Sequence, residues 1–343
     1  MEVKIENKKE VLGSGSELRQ DLVTGDWVII ATARAKRPDD FVQRDRIPDR
    51  DGVDLFADPE KSGQEKDVLI YNDEAGEWTL RVFPNKYPAV SRGRKARSLG
   101  EGPYFAMTGV GYHEVIVTRD AERHLALLDQ YQVAEVLDAY QERSLALMNK
   151  ESVNYIQIFH NHGKEAGASI AHPHSQLMAI PVIAPYVQSM LDGAENFYQS
   201  HRERVYNLMV EYELTHRRRL VYENEDFVVF VPYAPRMAFE LWVVGKRPNP
   251  YFERITDSEK FTCADALQKA LQSLFVGLEN PAYRFYVYTA PCNGRDYPHF
   301  QWSIQILPHT SVFGGFEFST GIEISTIEPE NAAEFLREKL DQA

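Results

Sequence analysis

The sequence predicts an α+β protein built as two tandem halves, each an antiparallel sheet with helices packed on it. Three observations carry that prediction. The apolar strand segment Gly111–Val117 has a counterpart in Met237–Val243. Each is followed by an amphipathic helix, and each helix by a strand, a loop and a second strand. A Pro-containing edge segment precedes each unit, Val82–Pro88 and Val231–Pro235. Matched features in the same order read as an internal duplication.

The elements follow in order. Trp27–Ile30 reads as a short strand, and Gly93–Tyr112, with its basic and Gly residues, as a mobile loop. Gln132–Asn149 places Val133, Val136, Leu137, Tyr140 and Leu145 on one helical face. The strands Tyr155–Phe159 and Gln176–Ile180 flank a Gly/Ser loop. Pro185–Arg219 is a polar helical connection. Ser258–Leu278 repeats the helix, with Phe261, Ala264, Leu267, Leu271 and Leu274 inward and Asp257 or Ser258 as its cap. The strands Arg284–Tyr288 and Gln301–Leu307 and a short helix over Pro329–Gln342 complete the chain. The division falls into residues 1–195 and 196–343. Registering the halves on Pro181 and Pro308 sets His172 opposite His299 and His174 opposite Gln301. One half then reacts, while the other shapes a substrate pocket.

The 343 residues are 43% hydrophobic and 26% charged, ordinary globular composition. A net charge of -13 argues against nucleic acid or an anionic membrane as partner. It leaves nucleotides open, because a few Arg and backbone N–H donors can hold a phosphate in an acidic protein. No apolar run approaches the ~20 residues of a membrane span. The charged segment Met1–Glu10 predicts no signal peptide, and two isolated cysteines, Cys263 and Cys292, fit a reducing cytoplasm.

The chemistry centres on His172-Pro173-His174-Ser175-Gln176. Strand alternation points His172, His174 and Gln176 one way, toward the preceding loop. Neutral imidazole is a good nucleophile toward phosphorus, so His174 is the candidate nucleophile. Pro173 stiffens the backbone beside it. The Gln176 amide can donate to a phosphoryl oxygen as charge builds there. Asn161, Gly167 and Ser169 form a candidate phosphate cradle, small residues admitting the backbone and polar ones adding donors. Arg34 and Arg37 can each grip a phosphate bidentately. Phe83 and Asn85 are candidates for a base and ribose pocket, and Glu317 for accepting hydrogen bonds from sugar hydroxyls. There is no Cys-x-x-Cys, and His spacing is tight only at His172/His174 and His160/His162; no metal or cofactor is expected.

These residues resemble the galactose-1-phosphate uridylyltransferases, a branch of the histidine-triad superfamily with two fused half-units. The resemblance covers nearly the whole chain. It runs through Thr24–Ile29, Arg34–Pro38, Phe83–Pro88, His113–Val117, Gly167–Ser169, His172–Gln176 and Gly315–Glu317. It implies two tandem histidine-triad-like halves and a covalent nucleotidyl-histidine at His174. A nucleotide sugar, UDP-glucose, would donate, and a hexose-1-phosphate would accept. It also implies Gln176 as phosphoryl stabiliser, Asn161 and Ser169 at phosphate, Phe83 and Asn85 at the nucleoside, Glu317 at the hexose, and a homodimer. Many members carry a zinc-binding Cys-x-x-Cys where this chain has Asp54–Ala57; His124 and His172 match the remaining ligand positions. Histidines of a second metal site are replaced near Tyr288, Ser303 and Gln305. Ser175 stands where many members have Gly, as in a related branch, ADP-glucose phosphorylase, that transfers adenylyl groups. A histidine-triad dinucleotide hydrolase is a further alternative.

Overall fold

The computed structural model describes residues 15–31, 41–42 and 54–342. Its centre is one continuous antiparallel sheet of ten strands. The first half supplies β3 (Leu69–Asn72), β4 (Trp78–Pro84), β7 (Tyr112–Thr118), β8 (Tyr155–His162) and β9 (His174–Ile180). The second supplies β10 (Leu220–Glu223), β11 (Phe227–Phe230), β12 (Leu241–Gly245), β13 (Tyr283–Tyr288) and β14 (Ser303–Pro308). From the middle outward the order is β8-β9-β7-β4-β3 on one side and β13-β14-β12-β11-β10 on the other. Numbered within its own half, each side reads fourth, fifth, third, second, first. The duplication in the sequence is therefore a duplication of topology. The halves meet where β13 pairs β8, with Phe285 opposite His160.

Helices α1 (Gln130–Leu147) and α4 (Asp257–Gly277) occupy the same place in each half, between the third and fourth strands. They lie on one sheet face and share a core with Leu80, Ile158, Leu177, Val229, Phe285 and Ile304. Each fully buried aliphatic or aromatic side chain contributes about 2 kcal/mol there. A capping box starts each helix: Asp129 with Gln132, and Thr256 with Glu259. The second cap is thus Thr256, one residue before the expected pair, because only Thr256 has a Glu at its third helical position.

The opposite face is where the halves diverge. Helices α2 (Pro185–His201) and α3 (Val205–His216) form the polar connection, and residue 195 lies inside α2. α3 packs on Leu220, Val228, Phe230, Trp242 and Val244, covering that face in the second half. At the first half's equivalent surface a cluster of Phe56, Phe83, Val115 and Val117 floors an open cavity. β1 (Glu17–Gln20) and β2 (Trp27–Ile30) join β15 (Glu323–Ser325) in a small separate sheet. α2 approaches this region at Gly193, where a Cβ would fall 1.7 Å from the Val23 carbonyl oxygen. The short helix α5 (Gly315–Thr320) and the C-terminal α6 (Pro329–Leu340) follow.

Two expectations are corrected. Gly93–Tyr112 is not a bare loop: β5 (Ser98–Glu101) and β6 (Tyr104–Met107) pair as a hairpin. Its strands are exposed on both faces, so no alternation marks them. Met237–Glu240 lies outside β12, in a turn that carries Phe239 at φ 66°.

Candidate active site

The cavity holds about 400 Å³ and is lined by His174, Gln176, Ser169, Ile170, Val115, Asn85 and Lys86, with Leu55, Phe56, Ser62 and Gln64 from an incoming loop. His174 opens β9 and is 8% exposed. Its Nδ1 lies 2.9 Å from the His172 carbonyl oxygen, which can only accept, so the ring proton sits on Nδ1. Nε2 then carries the lone pair, and no described residue bonds to it. Phe56 meets the imidazole edge-on at 5.2 Å. Burial holds the His174 ring below the ordinary histidine range, partly opposed by its bond to the carbonyl. The result is a neutral imidazole that lines the cavity, with Nε2 unbonded among the described residues.

Gln176 lines the same cavity two residues on, as strand alternation requires. His172 does not share that role. It precedes the strand, and its ring is turned to Asp54, 2.9 Å from Nδ1, and to the Thr118 carbonyl oxygen, 2.6 Å from Nε2. Both ring nitrogens of His172 are thus engaged by oxygen acceptors. Asp54 in turn accepts the Phe56 backbone N–H at 2.9 Å and so sets the loop that carries Phe56 to His174. Among the described residues, no group of three or more His, Cys, Asp or Glu is arranged to hold a metal. Near Gln305 the Arg236 guanidinium donates to Gln305 at 2.7 Å and pairs with Glu240, a protein cation among protein acceptors.

The cradle loop is built on glycine and anchored from the second half. Gly167 adopts φ 92°, a left-handed conformation, and a Cβ there would stand 3.8 Å from Asn161 Nδ2. Arg284 of β13 donates to the Ala166 carbonyl at 2.8 Å and the Glu165 carbonyl at 3.2 Å. Of the three cradle residues, Ser169 lines the cavity, whereas Asn161 and Gly167 are not part of its lining.

Asn85 lines the cavity, whereas Phe83 is fully buried beneath it and packs against Phe56 at 5.7 Å. Phe83 therefore supports the wall, and Phe56 is the aromatic that faces the space. Glu317 is on exposed α5, where it accepts the Gly314 N–H at 2.9 Å; it does not line this cavity. Arg34 and Arg37 lie outside the described residues. Ser175 points into the core, bonded to Tyr140 and, at 3.0 Å, to His160 Nδ1, so its hydroxyl is spent away from any nucleotide. Sequence reasoning missed Phe56, Ser62, Gln64 and Lys86, for which no local pattern exists. It also missed His113, whose polar ring inside an apolar strand was the available signal.

Comparison with known proteins finds relatives over most of the chain. The family model described as galactose-1-phosphate uridyl transferase, N-terminal domain, matches residues 7–183, and a domain of unknown function matches residues 111–343. ADP-glucose phosphorylase of Arabidopsis thaliana is 33% identical, covering 94% of this chain and 92% of that protein. Galactose-1-phosphate uridylyltransferase of Thermotoga maritima is 28% identical, covering 94% and 98%. The crystal structure of the Arabidopsis ADP-glucose phosphorylase with bound ADP-glucose superimposes with a TM-score of 0.81 at 31% identity, covering 94% of this chain and 98% of that one.

Proposed function

Since the chain belongs to the galactose-1-phosphate uridylyltransferase family of nucleotidyltransferases, we propose that it moves a nucleoside monophosphate between a nucleotide sugar and a hexose-1-phosphate through His174. The carrying observation is a buried neutral imidazole whose Nε2 is unbonded among the described residues and which lines one cavity with Gln176 and Ser169. Nε2 attacks the α-phosphorus of the donor. A P–N bond forms, and the P–O bond to the sugar phosphate breaks, releasing hexose-1-phosphate. No proton has to leave: Nδ1 keeps its hydrogen and its bond to the His172 carbonyl, which stabilises the positive charge of the adduct ring. A second hexose-1-phosphate oxygen then attacks phosphorus and the P–N bond breaks. Gln176 donates to the phosphoryl oxygen in both steps, where oxyanion stabilisation has its largest effect.

UDP-glucose is the donor in this reading, supported by the family model and the Thermotoga relative. A second reading takes ADP-glucose, supported by the 33% identity to ADP-glucose phosphorylase. A homodimer suits either: Tyr104, Phe105, Val312 and Phe318 are each at least 70% exposed, an apolar display that a second copy would cover. A hexose role for Glu317 fits a partner copy bringing the Phe316–Phe318 segment to the cavity.

The intact mass of the protein after exposure to each nucleotide sugar tests the proposal. A gain of one UMP or one AMP identifies the base, and His174→Asn abolishes it. An unchanged gain in His174→Asn refutes the assignment.

A further inference from the structure

His113 sits in β7, directly beside the Gln176 strand, and takes no part in the chemistry above. Its two ring nitrogens face unlike partners. Nδ1 lies 3.3 Å from the Ala89 backbone nitrogen, which can only donate. Nδ1 must therefore accept, and the single hydrogen of a neutral ring sits on Nε2. That nitrogen lies 2.8 Å from Gln176 Oε1. Asn85 Nδ2 is also within 3.3 Å of it, but Asn85 Oδ1 already accepts the Tyr87 N–H at 2.9 Å. Its nitrogen thus carries hydrogens and cannot accept from the ring. Among the described residues, Oε1 of Gln176 is the acceptor available to the His113 Nε2–H.

This settles which way the Gln176 amide is turned. With Oε1 held by His113, the –NH₂ end is left to face the cavity. An inverted amide would put two N–H groups against each other and aim a carbonyl oxygen at a negatively charged phosphoryl group. Resting on the transferase reading, we propose that His113 is a positioning residue: it holds the Gln176 amide with its N–H donors presented to the phosphoryl oxygen.

The test is single-turnover nucleotidylation of His174, followed by intact mass with whichever nucleotide sugar labels the wild type. His113→Leu, which lacks the donor, slows adduct formation at saturating donor by roughly ten- to a hundredfold, less than the roughly hundred- to thousandfold cost of deleting an oxyanion donor, because the Gln176 amide is left unheld rather than removed. The half-saturating donor concentration stays within about twofold, because positioning acts in the transition state. His113→Gln, which can again donate an N–H to Oε1, recovers most of the rate. Gln176→Ala combined with His113→Leu is no slower than Gln176→Ala alone, since His113 acts through Gln176. A His113→Leu rate equal to wild type, or a double variant slower by the product of the two single effects, overturns the positioning role and leaves the transferase reading standing. A folding defect in His113→Leu would show as lost nucleotide binding, and His113→Gln then carries the comparison: full adduct formation in it supports the role, and a rate as low as that of Gln176→Ala overturns it. No adduct in the wild type with either nucleotide sugar overturns the transferase reading and this role together.

Discussion

At the scale of single residues, two effects agree on the protonation state of His174, the proposed nucleophile. Burial disfavours the imidazolium, and the His172 carbonyl fixes the hydrogen on Nδ1. The reactive form is lost only when the ring gains a proton, and burial pushes that event below the ordinary value of about 6.5. The rate of adduct formation therefore holds steady from about pH 8 to pH 6.5 and declines below, by at most about tenfold per pH unit. A pH series of single-turnover rates checks this; a decline already complete by pH 7 contradicts it. That His174 and Gln176 line one surface was legible in the sequence, because a two-residue spacing on a strand fixes a shared face. Phe56, Ser62 and Gln64 were not, since a loop with no periodicity brings them in, held by the Asp54 carboxylate at His172. Phe83 misled because an aromatic at the right place in the chain can lie one layer beneath the surface it was expected to form.

At the scale of elements, ion pairs tie the chain's outer pieces to the second half. Glu330 in the first turn of α6 receives Arg19 of β1 at 2.9 Å and Arg219, just before β10, at 2.9 Å. Burial alone would raise the Glu330 pKa, but Arg19, with Arg219, holds it down at about 2. A carboxyl depressed in the fold adds stability above its ordinary range and loses it as pH falls toward about 2. Glu330→Ala leaves the fully buried Arg19 short of its bidentate partner and destabilises the protein by about 3 kcal/mol or more. The urea midpoint measures it, and a change under about 1 kcal/mol would show the pair to be dispensable. Helices α1 and α4 were readable from the 3.6-residue period of their apolar faces. The β5–β6 hairpin was not, because neither of its faces is buried and its alternation is erased. The start of β12 was shifted by the apolar run Met237–Phe239, which reads as strand but turns at Phe239.

At the scale of the whole molecule, the buried histidines couple stability to pH. His160 is stacked on Phe285 at 5.0 Å and stays neutral, its pKa driven well below the ordinary histidine value by burial. His174 is depressed for the same reason. The unfolded chain takes up these protons below about pH 6.5 and the native chain does not, so stability falls as pH drops through that range. Urea unfolding is expected at a lower midpoint at about pH 5.5 than at pH 7, and a flat profile across that interval contradicts the account. Among the described residues no helix is long and apolar enough to cross a membrane. The duplicated topology was visible in the sequence through its repeated order of strand, helix, strand and strand. What the sequence did not disclose is that α3 covers the second half's equivalent of the sheet face that floors the cavity in the first.

The pairing of β8 with β13 has a practical corollary. A protein assembled from repeats invites dissection into interchangeable modules, yet here the repeats share one hydrogen-bonded ladder through their midline. Cut apart, each fragment would bare an apolar strand edge with Ile158 or Val287 at its margin, the kind of raw border that recruits other chains into aggregates. Evolution or engineering must therefore treat both repeats as a single inheritable unit.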